Sequence, residues 1–502
     1  MKFKNVRYLY LLSCLVVFGC KQPGEKNAVK VKPENVDTAF KKLTVKSMHD
    51  DLSILWSAIK EMHPAYGIYT SADSLQGAYD KAYASINEPM YESGFIDHVY
   101  PFLCKLRCGH TQLRFSEGNK EPKALKSSAL PFEVLVRNHK AWVTTHKTNA
   151  LNTGDEIIKM NGVPVAQIIN HGYDLYCADG YGETFSELFL SEYDGFEDVC
   201  NKYYHWTAPY NITLKTQQGA LKTISVDQPA AGTKQQSPLK QVDNYAGWTV
   251  AKNTDYLPLR FLKNSLTAWF EVKSYQYNDT VIFKEAFKQI HEKGIKNLII
   301  DLRHNTGGDI RIAAKLLSYL ASSPYHIIGD VKSRVPNPAI NSFEKYFDTA
   351  RTASFKEGFT PAGKEGAYYH VDFKSPFGNM LAVLPLNKTA HFNGRLLVLI
   401  DGATFSAGAH SAAAIKTYCK GVKFIGRETA GAEEGCSGGT IQHLTLPNTH
   451  VLVEFPWMRF VSVAKHPVFG RGIVPDYTVI YTPQDVVTKN DPDIKKALTL
   501  IN

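Results

Sequence analysis

The sequence predicts an α/β protein of more than one domain, and three observations carry that expectation. Apolar runs at 297–302 and 395–400 are continuous rather than alternating, the pattern of strands covered on both faces. Helical patterns follow them, at 310–321 and 407–416, and another precedes them at 281–293, as in a sheet with helical crossovers. The chain has 502 residues, 44% of them hydrophobic and 12% aromatic, enough for two to four domains with filled cores.

The first residues read as targeting. Lys2, Lys4 and Arg7 form a basic stretch, and residues 8–19 form an apolar run too short to span a bilayer. They predict an export signal over 1–19. Val17-Phe18-Gly19-Cys20 resembles the lipobox of bacterial lipoproteins. That resemblance implies cleavage before Cys20, lipidation of its thiol, and anchorage in the cell envelope facing the periplasm or the cell surface. An ordinary secretory signal cut nearby is the plainer alternative. Residues 20–46 are polar and Lys-rich, with Pro23, Gly24 and Pro33, and predict a lipidated tether.

The net charge of +9 includes Lys2, Lys4 and Arg7, which leave with the signal. The other basic residues are dispersed, with no dense block interleaved with aromatics, so the chain gives no support to nucleic-acid binding. Of eight cysteines, Cys14 leaves with the signal and Cys20 takes the lipid. Cys104, Cys108, Cys177, Cys200, Cys419 and Cys436 remain, an even number that permits disulfides in an oxidising compartment. Cys104 and Cys108 have no matching Cys/His pair at zinc-finger spacing, so no metal is expected.

Residues 47–120 predict an N-terminal helical domain. Leu52, Leu55, Trp56 and Ile59 recur at helical spacing, and His63-Pro64 ends that helix. Further helical patterns cover 74–86 and 91–106, and the region closes on Cys108-Gly109-His110-Thr111. Residues 125–230 predict strands at 132–136 and 141–145, then turns at Gly154-Asp155 and Asn161-Gly162 around a short strand. This stretch resembles the core of PDZ domains, and a hairpin at 211–215 and 223–226 would complete one. An aromatic insertion lies between, from Tyr173 through Tyr176, Tyr181, Phe185 and Phe189 to Trp206; it reads either as a core or as a stacking surface for substrate. Residues 231–245 are a polar linker. Strand–helix alternation then runs over 246–485, interrupted at 333–392 by a Pro/Phe/Tyr-rich segment with no clear pattern.

The chemistry gathers at a few places. The strand at 395–400 stops at Asp401-Gly402, turns, and restarts as a helix just after Ser406. A hydroxyl there lies beside unpaired helix N–H groups and a positive dipole end, a setting that suits a nucleophile whose reaction develops negative charge. It is not a Gly-x-Ser-x-Gly elbow, because position 404 is Thr. The run Asp301-Leu302-Arg303-His304-Asn305-Thr306-Gly307-Gly308 takes a buried strand into a Gly-Gly turn, where backbone N–H groups can converge. Asp301 and Arg303 read as ties for that loop. A turn-rich loop at 426–435 and the distant Gly109-His110-Thr111 complete the set.

Taken in order, these motifs resemble peptidase family S41, the carboxyl-terminal processing and tricorn-core proteases. The agreement spans 48–480 and ends at Gly470-Arg471-Gly472-Ile473-Val474-Pro475-Asp476. The resemblance implies a crotonase/ClpP-like catalytic core, a PDZ-like domain, no cofactor, and a polypeptide substrate. It implies Ser406 as nucleophile, with the N–H of Ala407 and one from Gly307 or Gly308 as oxyanion hole. One departure stands out. The lysine of the processing branch would follow Thr429-Ala430-Gly431, where this chain has Ala432. The tricorn-like branch uses a histidine, which His110 matches, and histidine titrates in the range a general base needs. Glu433 and Glu434 are candidates to orient it by loop position alone. His304, His410 and His443 are weaker alternatives. The expected function is an exported serine endopeptidase; the alternative is a catalytically degenerate, peptide-binding lipoprotein.

Overall fold

The computed structural model describes residues 40–121, 129–230, 232–234, 239–374 and 380–501. The expected signal, Cys20 and the tether as far as residue 39 lie outside the described residues. No helix among the described residues is long and apolar enough to cross a membrane.

A seven-stranded sheet organises the C-terminal region. Its order is Tyr477–Thr478, Lys423–Gly426, Arg395–Ile400, Asn297–Asp301, Thr267–Glu271, Leu259–Leu262 and Trp248–Val250. The first five run parallel and the last two are antiparallel. The continuous apolar runs have the reason expected of them. Ile300 and Val398 face the main core, while Ile299, Leu397 and Leu399 face a second core closed by Ile494 and Ala497 of the helix Pro492–Thr499. Helices Asp279–Glu292, Ile310–Ser318 and Ala407–Tyr418 bury their apolar faces in the main core.

A second sheet forms the other wall of that core. It runs Gln112–Arg114, Leu452–Val461, Asp330–Ser333, Tyr368–Phe373 and Phe359–Glu365, with Gly435–Thr445 also paired to Leu452–Val461. Part of the segment without a sequence pattern is therefore strand. Gly435–Thr445 was hidden because Cys436-Ser437-Gly438-Gly439 reads as a turn rather than a strand.

The N-terminal helices are Val45–Met62, Ala72–Ser85 and Glu92–Cys104. The Thr44 hydroxyl caps the first by accepting from the N–H of Ser47, so the fold begins slightly before the expected boundary. These helices share the main core instead of building one of their own. Buried Asp51 fastens them by accepting the backbone N–H groups of Asn448 and Thr449.

Residues 130–226 do have a separate core, built on Phe132–Arg137, Lys140–His146, Glu156–Met160, Tyr210–Lys215 and Leu221–Val226 in that order. The aromatic insertion divides. Phe196 joins this core, whereas Phe185 and Phe189 pack with Ala403, Phe405 and Ala430 beside the serine turn.

Candidate active site

Ser406 stands at the N-cap of Ala407–Tyr418 with φ 51 and ψ −124, a left-handed conformation that L residues avoid. Such strain persists only where surroundings over-determine it. Here Asn305, wholly buried, does so. Its carbonyl accepts from Phe405 N–H at 3.0 Å, its Oδ1 accepts from Gly307 N–H at 2.9 Å, and its Nδ2 donates to the Val272 carbonyl at 2.9 Å. Thr404 adds a bond from its hydroxyl to the Leu302 carbonyl at 2.8 Å. Two glycines permit the approach. A Cβ on Gly307 (φ 112) would lie 2.8 Å from Ser406 Cβ, and one on Gly408 would collide with the Asn305 carbonyl.

His110 reaches this turn from 296 residues away. Its Nε2 lies 3.0 Å from Ser406 Oγ, and its ring stacks on Phe405 at 4.5 Å. Burial, then the neighbouring His410, lower its pKa to about 4, against an opposing pull from the Ser437 carbonyl. Among the described residues no hydrogen bond of ordinary geometry reaches His110 Nδ1.

The two oxyanion alternatives separate. The N–H of Gly307 is engaged by Asn305, while among the described residues those of Gly308 and Ala407 have no acceptor. The loop after the serine lies alongside, with the N–H groups of Ala430 and Gly431 both donating to the Thr404 carbonyl. Ala432, where a dyad lysine was looked for, is buried.

Neither glutamate meets the imidazole, which corrects the expectation drawn from loop position. Glu433 pairs with Lys416 at 2.6 Å. Glu434 Oε1 accepts from Tyr69 OH at 2.8 Å and from Gly470 N–H at 3.0 Å, with Arg459 at 3.7 Å. The other histidines are occupied elsewhere. His304 bridges Asp401 at 2.7 Å and Glu192 at 2.9 Å; His410 Nε2 faces Cys436 Sγ at 3.5 Å; His443 lies in strand register with Glu454. Asp301 and Arg303 are ties, as expected, with the guanidinium bonded to Asp301, Asp491, Asp493 and Tyr481.

The sequence offered no sign of Asp179. This buried residue of the aromatic insertion accepts the N–H of Gly109 at 3.2 Å. One of its oxygens, a ring nitrogen of His110 and Cys108 Sγ lie within 4.8 Å of one another. Burial pushes the Cys108 thiol well above its ordinary value. The six cysteines at 104, 108, 177, 200, 419 and 436 are free thiols.

A serine held at a helix N-terminus, a histidine on its hydroxyl and free N–H groups beside it form the kind of arrangement that serine-nucleophile hydrolases use. Residues 267–479 match the family described as Peptidase family S41. The match covers this domain, less than half of the chain, and supports a peptidase role for it. Among solved structures, mature CPAF superimposes with a TM-score of 0.57 at 15% identity, over 91% of this chain and 96% of that one. Mature CPAF complexed with lactacystin gives 0.55 at 14%, over 91% and 97%. At such identities the likeness is one of fold. No curated protein matches the sequence.

Proposed function

We propose that this protein is an exported serine endopeptidase of the S41 class that works through an acyl-enzyme. The observation that carries the reading is the 3.0 Å contact of His110 Nε2 with the hydroxyl of a strained Ser406. Ser406 Oγ attacks the scissile carbonyl as His110 takes its proton. The N–H groups of Ala407 and Gly308 hold the oxyanion, with Gly307 giving the turn its shape. His110 then protonates the leaving amine, and water hydrolyses the ester. The residues present call for no cofactor. The PDZ-like module over 125–230 positions a polypeptide substrate by strand addition, and its edge strand Leu221–Val226 alternates exposed with partly covered residues in keeping with that role. Lipidated Cys20 and the tether to residue 46 hold the body at a membrane facing the periplasm or the cell surface.

A second reading, a peptide-binding lipoprotein that has lost catalysis, is favoured by buried Ala432 at the lysine position. A fluorophosphonate probe separates the two. Wild type is expected to label at Ser406, Ser406→Ala not at all, and His110→Ala slower by on the order of 10³-fold or more. A wild-type protein that does not label, and handles peptide no differently from either variant, is the binding protein. Cys20→Ser is expected to move the protein from the membrane to the soluble fraction; no movement refutes the anchor.

A further inference from the structure

The reading of His110 as base leaves one requirement open. A histidine that accepts a serine proton on Nε2 must carry its own hydrogen on Nδ1, and something must hold it there. His110 Nδ1 is buried and makes no hydrogen bond of ordinary geometry among the described residues, although the Ser437 carbonyl stands close enough to favour the charged ring. Glu433 and Glu434, the carboxylates expected to serve, are bound to Lys416 and to Tyr69, Gly470 and Arg459.

Asp179 has the complementary deficit. Its side chain is 2% exposed, its Oδ1 accepts from Gly109, the residue before His110, and its Oδ2 has no partner among the described residues. A carboxyl oxygen and a ring nitrogen of His110 stand within 4.8 Å. Backbone bonds pin the aspartate between two active-site loops. Its own N–H donates to the Ala430 carbonyl at 3.3 Å, and Gly180 N–H donates to the Arg107 carbonyl at 3.2 Å. Gly109 sits so close that a Cβ there would lie 3.2 Å from the Cys177 carbonyl. The aspartate cannot shift without moving the histidine loop.

We propose that Asp179 is the positioning residue for His110, its free oxygen accepting the Nδ1–H and keeping Nε2 turned to Ser406. The deficits of two buried polar atoms are then met by one bond, as buried donors and acceptors require. The third group of the site thus comes from the aromatic insertion, and through it the 130–226 region enters the chemistry.

The charge state adds a switch. Burial, with Glu434, pushes the Asp179 carboxyl up to about 8, against Gly109 N–H and Arg459. The ionisable groups around the pair are Cys108, Tyr69, Glu434, Cys436, Arg459 and His410. While protonated on its free oxygen, Asp179 donates to Nδ1. The ring hydrogen then sits on Nε2, the tautomer that cannot take the serine proton. Once ionised, it accepts from Nδ1 and steadies the imidazolium. Activity therefore rises as pH passes about 8.

The full chain tests this with Asp179→Asn beside Ser406→Ala and His110→Ala. The asparagine keeps its oxygen on Gly109 and turns an amide N–H to Nδ1, fixing the wrong tautomer. Its kcat on a peptide is expected to fall on the order of 10²–10⁴-fold with KM within about threefold, and its step near pH 8 to vanish. Asp179→Glu is expected to recover part of the rate and of the step. ¹⁵N spectra of histidine-labelled wild type read the tautomer without any substitution, and His110 is expected to pass from Nε2–H to Nδ1–H near pH 8. If Ser406→Ala and His110→Ala are inactive while Asp179→Asn keeps rate and pH step, or if the tautomer does not switch, the Ser437 carbonyl orients the ring alone and the inference falls. If Ser406→Ala hydrolyses like wild type, the peptidase reading falls first and this inference with it.

Discussion

Two polar clusters flank the serine turn, and they are built on opposite terms. Around Arg303 every guanidinium nitrogen is bonded, to Asp301, Asp491, Asp493 and Tyr481, and only Asp493 Oδ1 lacks a partner among the described residues. Around His110, by contrast, His110 Nδ1, Asp179 Oδ2, His410 Nδ1, Glu434 Oε2, Ser437 Oγ and Arg459 Nη1 are buried with no hydrogen bond of ordinary geometry among the described residues. Unsatisfied buried polar groups cost stability. Unpartnered buried groups suit a place where protonation or partners change, whereas a complete network suits a loop that stays still. On the proposed mechanism the Arg303 side is structural and the His110 side chemical, and each can be broken in its own way.

Arg303→Met makes the largest expected difference in stability. It strands Asp301, Asp491 and Asp493 without their cation, and unpairing a buried charge costs about 3–5 kcal/mol. Denaturant unfolding measures it, and the molecules that remain folded should label with the fluorophosphonate at the wild-type rate. A loss below about 1 kcal/mol would mean the network is no more than a surface salt bridge.

Gly307→Ala sharpens the boundary between the two sides. The new methyl would press on Ser406 Cβ at 2.8 Å, on Ala407 N at 3.0 Å and on Ser406 Oγ at 3.2 Å, in a backbone region that alanine resists. On the proposed mechanism, displacing Ser406 and the Ala407 N–H together is expected to lower kcat on the order of 10²-fold, with about 1–3 kcal/mol of stability lost. A variant that loses stability but labels normally would show that the turn tolerates the shift.

The same contrast explains what could be read from the sequence. The strands at Asn297–Asp301 and Arg395–Ile400 were legible because burial on both faces writes a continuous apolar run. Leu259–Leu262 and Trp248–Val250 are short and lie toward the antiparallel edge, and Gly435–Thr445 opens on glycines, so none carried a pattern. Ser406 was legible as a hydroxyl at a strand-to-helix turn. His110 was legible only as one motif among several in order, because 296 residues separate it from its partner. Loop position suggested Glu433 and Glu434 but says nothing of side-chain direction, and both point to other partners. Asp179 left no trace, being one of several carboxylates in the aromatic stretch, and Asn305 none beyond its place before Gly307.

The smallest expected effects distinguish the clusters by pH. Asp179 has a folded pKa of about 8 against an ordinary 3.8, so between those values the folded chain holds a proton the unfolded chain has released. Its stabilising contribution is complete below about pH 4 and is lost as pH rises toward 8. His410 works the other way. Burial, then Arg459, lower it from 6.5 to about 4, so the unfolded chain takes up a proton first and stability is lost as pH falls through that window. Thermal melts of Asp179→Asn and His410→Gln against wild type isolate the two groups, because the other titrating residues cancel in each difference. The melting temperature of Asp179→Asn is expected to gain on wild type by about 1–4 °C from pH 4 to pH 8, and that of His410→Gln by a similar amount from pH 6.5 down to pH 4. Arg303→Met should show neither slope of that sign and size at these positions. A gain for Asp179→Asn together with its loss of rate would mark a residue kept for chemistry at the expense of stability, whereas differences flat with pH would place Asp179 and His410 among the structural ties.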